Sequence, residues 1–441
     1  MTGYLDSISI AHCWVGSRRT EVTVALISPV DPYPSDAGKK VVLAGFISYF
    51  TARYGRDHVH YIFPGSAARY STGSDNFPAD LYPVPLPRRL VALGNVPTRA
   101  LTGRSSLQEA LLYSRETQRA IADARDAIAP TVEVYDTVRM AQYAGDSAST
   151  QICYLDDLFS ERYTAMLAAA TRYPDIDIAP LGNFSEYVPS VLRPLAENRR
   201  WQVALLRAER KLVRKSEDEV ARRFRRSLLV NRVEAATLTR RAGVSAGTVR
   251  AIPPLVGSPG AVPRRAVGPE FVFLGLLSLP HNDDGLRWFL REVWPIVVDR
   301  LPSARLRVVG REARGGLLRL AAGFADSVSV EGYVEDLSSI FISAAALINP
   351  LRFGSGIKLK VIEALARGLP VVSTTVGAEG IQNGAERGVL VADRPDEIAA
   401  TLCELTSPRT NLEVADAALA HFESVYSRDA VFAAYDAAFG N

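Results

Sequence analysis

Apolar and polar positions alternate in blocks along the C-terminal half of the chain, and these blocks predict strands separated by helices. Short runs rich in β-branched and other apolar residues predict six strands, over residues 271–277, 305–309, 327–330, 345–349, 371–374 and 389–392. Helical spacing of apolar positions predicts helices over residues 286–300 and 356–367. Strands that are apolar throughout and alternate with helices indicate a parallel sheet that is covered on both faces.

The N-terminal half shows the same organisation less regularly. Apolar runs predict strands over residues 22–28, 59–63, 132–135, 152–155 and 227–230. Helices are predicted over residues 39–54, 107–128, 186–226 and 234–241. Residues 64–104 are rich in Pro, Gly, Ser and Asn, a composition that predicts a long irregular loop region.

A proline- and glycine-rich stretch over residues 251–269 predicts the boundary between two domains. The 441 residues also fit two domains of about 200 residues each. We therefore predict an α/β protein with two doubly wound, Rossmann-like domains, over residues 1–260 and 261–425, and a helix over 426–441 that returns to the first domain. Ligands of such sheets bind at the carboxyl ends of the strands.

Composition narrows the classes of protein to consider. Mean hydropathy is +0.04, and no apolar run approaches the roughly 20 residues that a bilayer span requires. No secretory signal is recognisable at the N-terminus, so we expect a cytoplasmic protein. The three cysteines are far apart and the five histidines lack metal-ligand spacing, which argues against a disulfide framework and a closed zinc site.

The segment from Asn349 to Ser373 carries the clearest chemistry, because it combines a strand, a glycine-rich turn and a helix. Gly354 and Gly356 allow backbone N–H groups to approach an anion closely, and the start of a helix favours phosphate. Arg352 and Lys358 add positive charge beside that turn. Glu363, about two turns into the helix, is placed to bind a ribose diol with both carboxylate oxygens.

Several segments together resemble the family 4 retaining glycosyltransferases, in a bacterial branch that builds polysaccharides. The resemblance is carried by residues 350–373 and 375–381, by Phe273-Leu274-Gly275, Pro280-His281-Asn282 and Trp288, and by residues 305–310 and 330–337. In the N-terminal half it is carried by residues 28–29, 34–39, 154–158 and 162–163. It is strong over about 150 residues of the C-terminal half and thinner, though in the same order, in the N-terminal half.

The resemblance implies the GT-B fold, in which the C-terminal domain binds a nucleotide diphosphate sugar and the N-terminal domain binds the acceptor across a cleft. It implies transfer of a hexosyl or related group from a UDP- or GDP-sugar to a hydroxyl, on a glycan or lipid-linked glycan, with retention and without a divalent metal or other cofactor. The resemblance and the glycine turn together predict the donor-binding residues. These are Gly38, Lys39, Gly275, Tyr333, Val334, Arg352, Gly354, Ser355, Gly356, Ile357, Lys358 and Glu363.

The chain departs from the family pattern at several positions. Ser355 stands where many members have a glutamate that contacts the donor sugar, so the N–H groups of Gly356 and Ile357 are expected to take that role. Leu276 and Asn282 stand near the places of a usual Arg and Lys, which leaves the phosphate charge to Arg352, Lys358 and Lys39.

On the acceptor side, Asp156 replaces a histidine that many family members carry. With Asp157 it forms the catalytic candidate pair, because a carboxylate there could polarise the acceptor hydroxyl. Alternatively, the two carboxylates only cap the following helix.

Other functions stay open on the sequence alone. Asp175-Ile176-Asp177 has the form of a metal-binding DxD motif, and a nucleotide-sugar 2-epimerase or a non-catalytic degenerate protein would share the fold. A phosphorylase would need a pyridoxal-binding lysine site that the sequence does not reveal.

Residues 193–226 carry twelve Lys or Arg and five Asp or Glu, an excess of seven positive charges. The stretch 199–226 could hold the chain at the inner face of an anionic membrane, or could be a solvated helix face. We see no pattern for nucleic-acid binding.

Overall fold

The computed structural model describes residues 22–35, 37–65, 77–172, 198–257, 268–334 and 336–440. Its first sheet consists of β1 Val24–Ile27, β2 Val59–Pro64, β3 Asp80–Val84, β4 Val132–Asp136, β5 Thr150–Asp156, β6 Arg226–Leu229 and β7 Val249–Ala251. Its second sheet consists of β8 Glu270–Leu274, β9 Arg305–Val309, β10 Val328–Gly332, β11 Ala346–Asn349, β12 Val371–Ser373 and β13 Val389–Val391.

Helices cover both sheets. In the first domain they are α1 Gly38–Tyr54, α2 Arg89–Asn95, α3 Leu107–Leu111, α4 Arg115–Ile128, α5 Thr137–Ala141, α6 Phe159–Arg172, α7 Arg199–Arg223 and α8 Arg232–Ala242. In the second part of the chain they are α9 Pro280–Trp288, α10 Trp294–Arg300, α11 Gly315–Ala322, α12 Ser338–Ser343, α13 Leu359–Leu365, α14 Pro395–Glu404, α15 Pro408–Val425 and α16 Arg428–Phe439.

Both sheets are parallel and doubly wound. The strand orders are β3-β2-β1-β4-β5-β6-β7 and β10-β9-β8-β11-β12-β13. All four residues of β1 are buried, and they alternate between two apolar cores, one on each face of the sheet. The order reverses between β1 and β4 and again between β8 and β11, which places a crevice at the carboxyl ends of these strands. The predicted α/β class is confirmed.

The last helix packs on the first sheet although the helix before it packs on the second. Phe422 and Tyr426, at the end of α15, belong to a core of the second domain. Tyr435 of α16 instead lies 5.3 Å, ring to ring, from Phe46 of α1, and Phe439 lies 5.8 Å from Tyr49. The chain therefore crosses between the domains twice, once before β8 and once before α16.

The region predicted as an irregular loop over residues 64–104 contains regular structure, so that prediction is wrong. It holds β3, α2 and a π turn over Val96–Ala100. β3 was missed because it is an edge strand with a half-exposed face, where Pro83 costs little by lacking an N–H to donate.

Helix boundaries also differ from the predictions. The helix predicted over 107–128 is two helices, because the Ser114 side chain accepts the Thr117 N–H at 2.9 Å and starts a new one. The helix predicted over 286–300 begins earlier, at Pro280, and widens to a π turn over Phe289–Val293. The helix predicted from 356 begins at Leu359 and has seven residues.

None of the helices in the described part of the chain is both long enough and apolar enough to cross a bilayer.

Candidate functional site

The glycine turn after β11 is shaped by a buried lysine. Lys358 Nζ donates to the carbonyl oxygens of Ser355 at 2.8 Å and of Gly356 at 2.7 Å. In a trans peptide the C=O and N–H point in opposite directions, so the N–H groups of Gly356 and Ile357 point away from this ammonium. Neither N–H donates to an acceptor among the described residues. These two amides are the groups expected to face the donor.

Lys358 and Arg352 therefore act differently from the expectation that both face a phosphate. Burial lowers the pKa of Lys358 to about 8, and its hydrogen bonds hold the turn from inside. The Arg352 guanidinium forms a two-pronged ion pair with the buried carboxylate of Asp284 on α9, with Nε to Oδ2 at 2.9 Å. Arg352 thus fixes the turn to α9, and its charge is already balanced.

Glu363 faces a cavity of about 470 Å³ between α1 and α13. Ala44 and Ser48 of α1 line the opposite wall, and Arg367 lies beside Glu363. Burial raises the pKa of Glu363, and its carboxylate accepts no hydrogen bond from any other described residue. A cavity of this size is in the usual range for small-molecule sites, and the carboxylate is available to hydroxyl groups of a ligand.

The start of α1 meets the start of α13 across the cleft. A Cβ atom on Gly38 would lie 3.9 Å from Leu359 Cδ1, so the two helix starts are in direct contact distance of each other. Lys39 Nζ lies 2.6 Å from Oδ1 of the buried Asp136, at the carboxyl end of β4. Lys39 thus lies beside the carboxyl end of β4, where a carboxylate already balances its charge, and a contact with a donor phosphate stays a prediction.

A further cation, Lys360, points back from α13 toward the loop after β8. Its Nζ donates to Asn282 Oδ1 at 3.0 Å and lies 4.2 Å from the centre of the Phe273 ring. Burial and the neighbouring Lys358 lower the pKa of Lys360 to about 7. Burial, Lys358 and Lys360 likewise lower the pKa of His281 to about 3, so its imidazole is neutral. Positive charge is concentrated here, which suits an anionic ligand.

The loop after β8 packs too closely against β9 to accept side chains at its glycines. A Cβ on Gly310 would lie 1.8 Å from the carbonyl oxygen of Gly275, and a Cβ on Gly275 would lie 2.8 Å from Asn282 Nδ2. The contact at Gly310 is with a backbone atom and cannot form without moving the backbone, whereas the contact at Gly275 would require the Asn282 side chain to shift. Gly275 thus allows the backbone to pass close to Asn282 at the edge of the cleft.

The two residues predicted to lie over the base follow β10. The Tyr333 ring is 65% exposed, and the Arg311 guanidinium stacks on it at 4.8 Å. Val334 packs against the apolar core beneath α13. A base contact by either residue stays a prediction.

Asp157 links the two domains. Its Oδ2 accepts hydrogen bonds from Arg162 Nε at 2.9 Å and from the Ser355 hydroxyl at 3.0 Å. Arg162 Nε also donates to the Ser355 oxygen at 3.1 Å. Asp157 is 2% exposed, and Oδ1 has no partner among the described residues. A carboxylate of the first domain is therefore held directly against the glycine turn of the second.

Asp156 has a different environment from Asp157. Its backbone is left-handed, with φ of 71°, a conformation that Asp tolerates better than most residues. The Tyr154 hydroxyl donates to its Oδ1 at 2.7 Å, and burial raises the pKa of Asp156. Neither carboxylate is seen to cap α6, since no hydrogen bond to a helix N–H is formed by either one in the described structure.

Glu234 lies behind Asp157 at the start of α8. Its Oε2 accepts the N–H of Leu158 at 3.0 Å, and Oε1 has no partner in the described part of the chain. Burial and the charge of Asp157 raise the pKa of Glu234 to about 9, so it is protonated at neutral pH. Its neighbour Asn231 donates to Glu379 of the second domain at 3.4 Å.

Sequence reasoning missed Arg162, Glu234 and Lys360 as site residues. Arg162 and Glu234 had a usable signal, because β5 and β6 are neighbours and both residues follow the carboxyl ends of these strands. Lys360 had no such signal in the sequence, since the direction of its side chain depends on where α13 begins.

The described residues contain no group of three or more His, Cys, Asp or Glu side chains that could hold a metal ion. The DxD sequence at 175–177 lies outside the described residues.

Comparison with known proteins bears on the second domain first. A family model described as "Glycosyl transferases group 1" matches residues 268–407. Over these residues the second domain is similar to group 1 glycosyltransferase domains. The matched residues include the glycine turn, Glu363 and Lys360. A 44.6 kDa protein in the cps region of Klebsiella pneumoniae is 32% identical over 134 residues, which are 29% of this chain and 34% of that protein. The match thus spans about a third of the relative's length.

Solved structures show the fold of the whole chain. Sucrose-phosphate synthase from Thermosynechococcus elongatus has a TM-score of 0.61 at 14% identity, covering 93% of this chain and 96% of that one. TarM from S. aureus, in complex with UDP and alpha-GlcNAc-glycerol, has a TM-score of 0.61 at 8% identity, with 95% and 100% covered. HepE from Anabaena, in complex with UDP-glucose, has a TM-score of 0.55 at 11% identity, with 93% and 97% covered. The chain has the GT-B fold, and the predicted resemblance to family 4 enzymes is confirmed.

Proposed function

We propose that this chain transfers a hexosyl or related group from a UDP- or GDP-sugar to a hydroxyl acceptor, with retention at the anomeric carbon. The observations that carry the proposal lie at the start of one helix: the Glu363 carboxylate lines a cavity and accepts no hydrogen bond from another described residue, and the preceding amides of Gly356 and Ile357 have no acceptor among the described residues. The group 1 domain and the nucleotides bound by TarM and HepE support a nucleoside diphosphate donor.

The chemistry of the transfer follows from where charge develops. As the glycosidic bond breaks, negative charge grows on the β-phosphate of the leaving group and the sugar becomes positively charged. Preorganised N–H groups and cations beside that phosphate stabilise the transition state, without a requirement for a metal or another cofactor. Asp157 or Asp156 then accepts a hydrogen bond from the acceptor hydroxyl at the opposite wall of the cleft.

A nucleotide-binding experiment tests the donor site. We expect UDP or GDP to bind the intact chain in calorimetry, and Glu363→Gln to weaken that binding roughly 10- to 100-fold, because a charged acceptor to the ribose diol is lost. The 3′-deoxy nucleotide should bind wild type more weakly and should bind the variant nearly as well as the normal nucleotide does.

The control for this experiment is Glu413→Gln, at an exposed residue of α15 that pairs only with Arg409 on the surface. Absence of nucleotide binding to the wild type, or equal binding to both variants, would refute the donor site. Consumption of the nucleotide sugar without any acceptor, to give a 2-epimer, would instead favour the epimerase.

The acceptor is proposed to be a glycan or a lipid-linked glycan of polysaccharide biosynthesis, in line with the cps-region relative. Such an acceptor would place the enzyme in the cytoplasm, at the inner face of the membrane. The basic segment 199–226 has fewer free positive charges for membrane contact than its sequence suggests. Arg222, Arg223 and Arg226 donate to backbone carbonyls of the first domain or of its last helix.

The exposed face of α7 remains for membrane contact, with Arg207, Lys211 and Arg214 along it. Reversing these three charges to Glu is expected to lower partitioning onto vesicles with anionic lipid by roughly 100-fold, at about 1 kcal/mol per basic residue. Cosedimentation with these vesicles measures the change in partitioning. Charge reversal of Arg291, Arg300 and Arg319 on the second domain is the control, and equal partitioning of both triple variants would contradict membrane contact through α7.

A further inference from the structure

Lys360 has no carboxylate partner among the described residues, in contrast to three other cations of the cleft. Lys39 pairs with Asp136, Arg162 with Asp157 and Arg352 with Asp284. The acceptor of Lys360 Nζ is instead a neutral amide oxygen, Oδ1 of Asn282. An ammonium taken partly out of water without a counter-charge is costly, and a bound anion removes that cost.

The described surroundings of Lys360 provide no negative charge to balance it. Its side chain is partly exposed, and it lies next to the loop of Gly275, which passes close to Asn282. The titratable groups near it are Lys358 on its own turn and His281 on α9, and both are basic groups. Arg162, from α6, adds positive charge near His281.

We infer that the Lys360 ammonium binds the diphosphate of the donor, from the side of the β8 loop, opposite the amides of Gly356 and Ile357. This assignment rests on the proposed function and names a residue for it. Asn282, at 3.0 Å, orients the ammonium in the empty cleft. The role expected of Arg352 and Lys39 passes to Lys360, because carboxylates already balance those two cations.

Donor binding at Lys360 is coupled to the uptake of a proton by the protein. With burial and Lys358 lowering the pKa of Lys360 to about 7, the amine is mostly neutral at pH 8 in the empty site. A diphosphate favours the charged form and raises that pKa, so the protein takes up a proton when the donor binds. Affinity is therefore full below pH 7 and falls as pH rises above it, by up to tenfold per pH unit. Lys358, with a pKa of about 8, adds a smaller share at higher pH.

The test uses calorimetry of UDP and GDP with the full chain at pH 7 and pH 8, in buffers of different ionisation enthalpy. Lys360→Met is expected to weaken binding roughly 10- to 100-fold at pH 7 and to lose most of the proton uptake at pH 8. Lys360→Arg stays charged at both pH values, so it should bind within a few-fold of wild type at pH 7 and also lack that uptake. Lys215→Met, at an exposed lysine of α7, is the control and should match wild type.

A double variant that moves the positive charge from residue 360 to residue 282 distinguishes a loss of phosphate binding from a loss of packing. Because the Lys360 ammonium and the Asn282 amide are in contact, Lys360→Met with Asn282→Lys should recover at least tenfold of the affinity that Lys360→Met loses. Wild-type affinity in Lys360→Met would overturn the inference, and so would an Arg variant that is as weak as the Met variant with proton uptake unchanged. If the wild type binds neither nucleotide, the proposed function fails. If Glu363→Gln loses binding but Lys360→Met does not, the proposed function stands and only the assignment of Lys360 is refuted.

Discussion

Asp157→Asn is expected to lower kcat by roughly 100- to 10,000-fold while nucleotide affinity stays within a few-fold of wild type. The carboxylate accepts from Arg162 and from Ser355 through one oxygen, so it holds a cation and the glycine turn together. Its second oxygen is buried and has no partner among the described residues, so an acceptor hydroxyl that reaches it would supply its missing hydrogen bond. An amide keeps the shape and can still accept from Arg162 and Ser355 through its oxygen, but it loses the negative charge and offers N–H donors where the second oxygen was.

Steady-state kinetics with a nucleotide sugar and an acceptor would measure this loss, and calorimetry would check donor binding. Glu161→Gln is the matched control, because Glu161 lies on the same helix, is 38% exposed and meets only Arg241, at 3.3 Å. Turnover by Asp157→Asn at the wild-type rate would remove Asp157 from the catalytic candidates. Asp156→Asn should be measured beside it, since Asn also tolerates the left-handed backbone at that position.

Gly310→Ala is expected to be the most destabilising small substitution in the second domain. The new methyl group would meet the Gly275 carbonyl oxygen at 1.8 Å, and neither the methyl carbon, which is fixed to Cα, nor the backbone oxygen can rotate away. Overpacking of this kind costs roughly 3 kcal/mol or more, which lowers Tm by roughly 6–12 °C for a domain of about 200 residues. Donor affinity should fall as well, because the loop of Gly275 must move.

Thermal unfolding with and without nucleotide would measure both effects. Gly316→Ala is the control, because Gly316 lies inside α11 and a Cβ there meets nothing within 4 Å. It should raise stability by roughly 0.5–1 kcal/mol, the usual gain from replacing a helical glycine. Equal Tm values for the two variants would show that the β8 and β9 loops are less closely packed than the structure indicates.

The sequence predicted the parts of this fold that depend on local patterns. β8 and β11 are nearly continuous apolar runs, β9 alternates arginine with apolar residues, and Gly354 and Gly356 mark the turn before α13, so the order of these elements was readable from the sequence. The exact start of α13 was not readable from the sequence. The pattern predicted a start at Gly356, whereas the helix begins at Leu359. β3 was missed for a related reason: an edge strand needs neither a full apolar face nor every N–H.

The candidate site was predictable only in part, because its decisive contacts join distant residues. Asp157 and Ser355 were both named from the sequence, but the hydrogen bond between them spans 198 positions and depends on how the domains meet. Arg352 and Lys39 were expected to meet phosphate, yet no local pattern shows that Asp284 and Asp136 already pair with them. Charge was readable from the sequence, whereas the presence of a counter-charge was not.

The two passages of the chain between the domains have a consequence for how the cleft can open. One passage lies before β8, and the other lies between Tyr426 on the second domain and α16 on the first. Two connections restrict relative movement of the domains more than one connection does. Separation of the domains at the cleft would break the hydrogen bond between Ser355 and Asp157. Tyr435 and Phe439 would stay packed on the first domain, so opening need not disturb either apolar core.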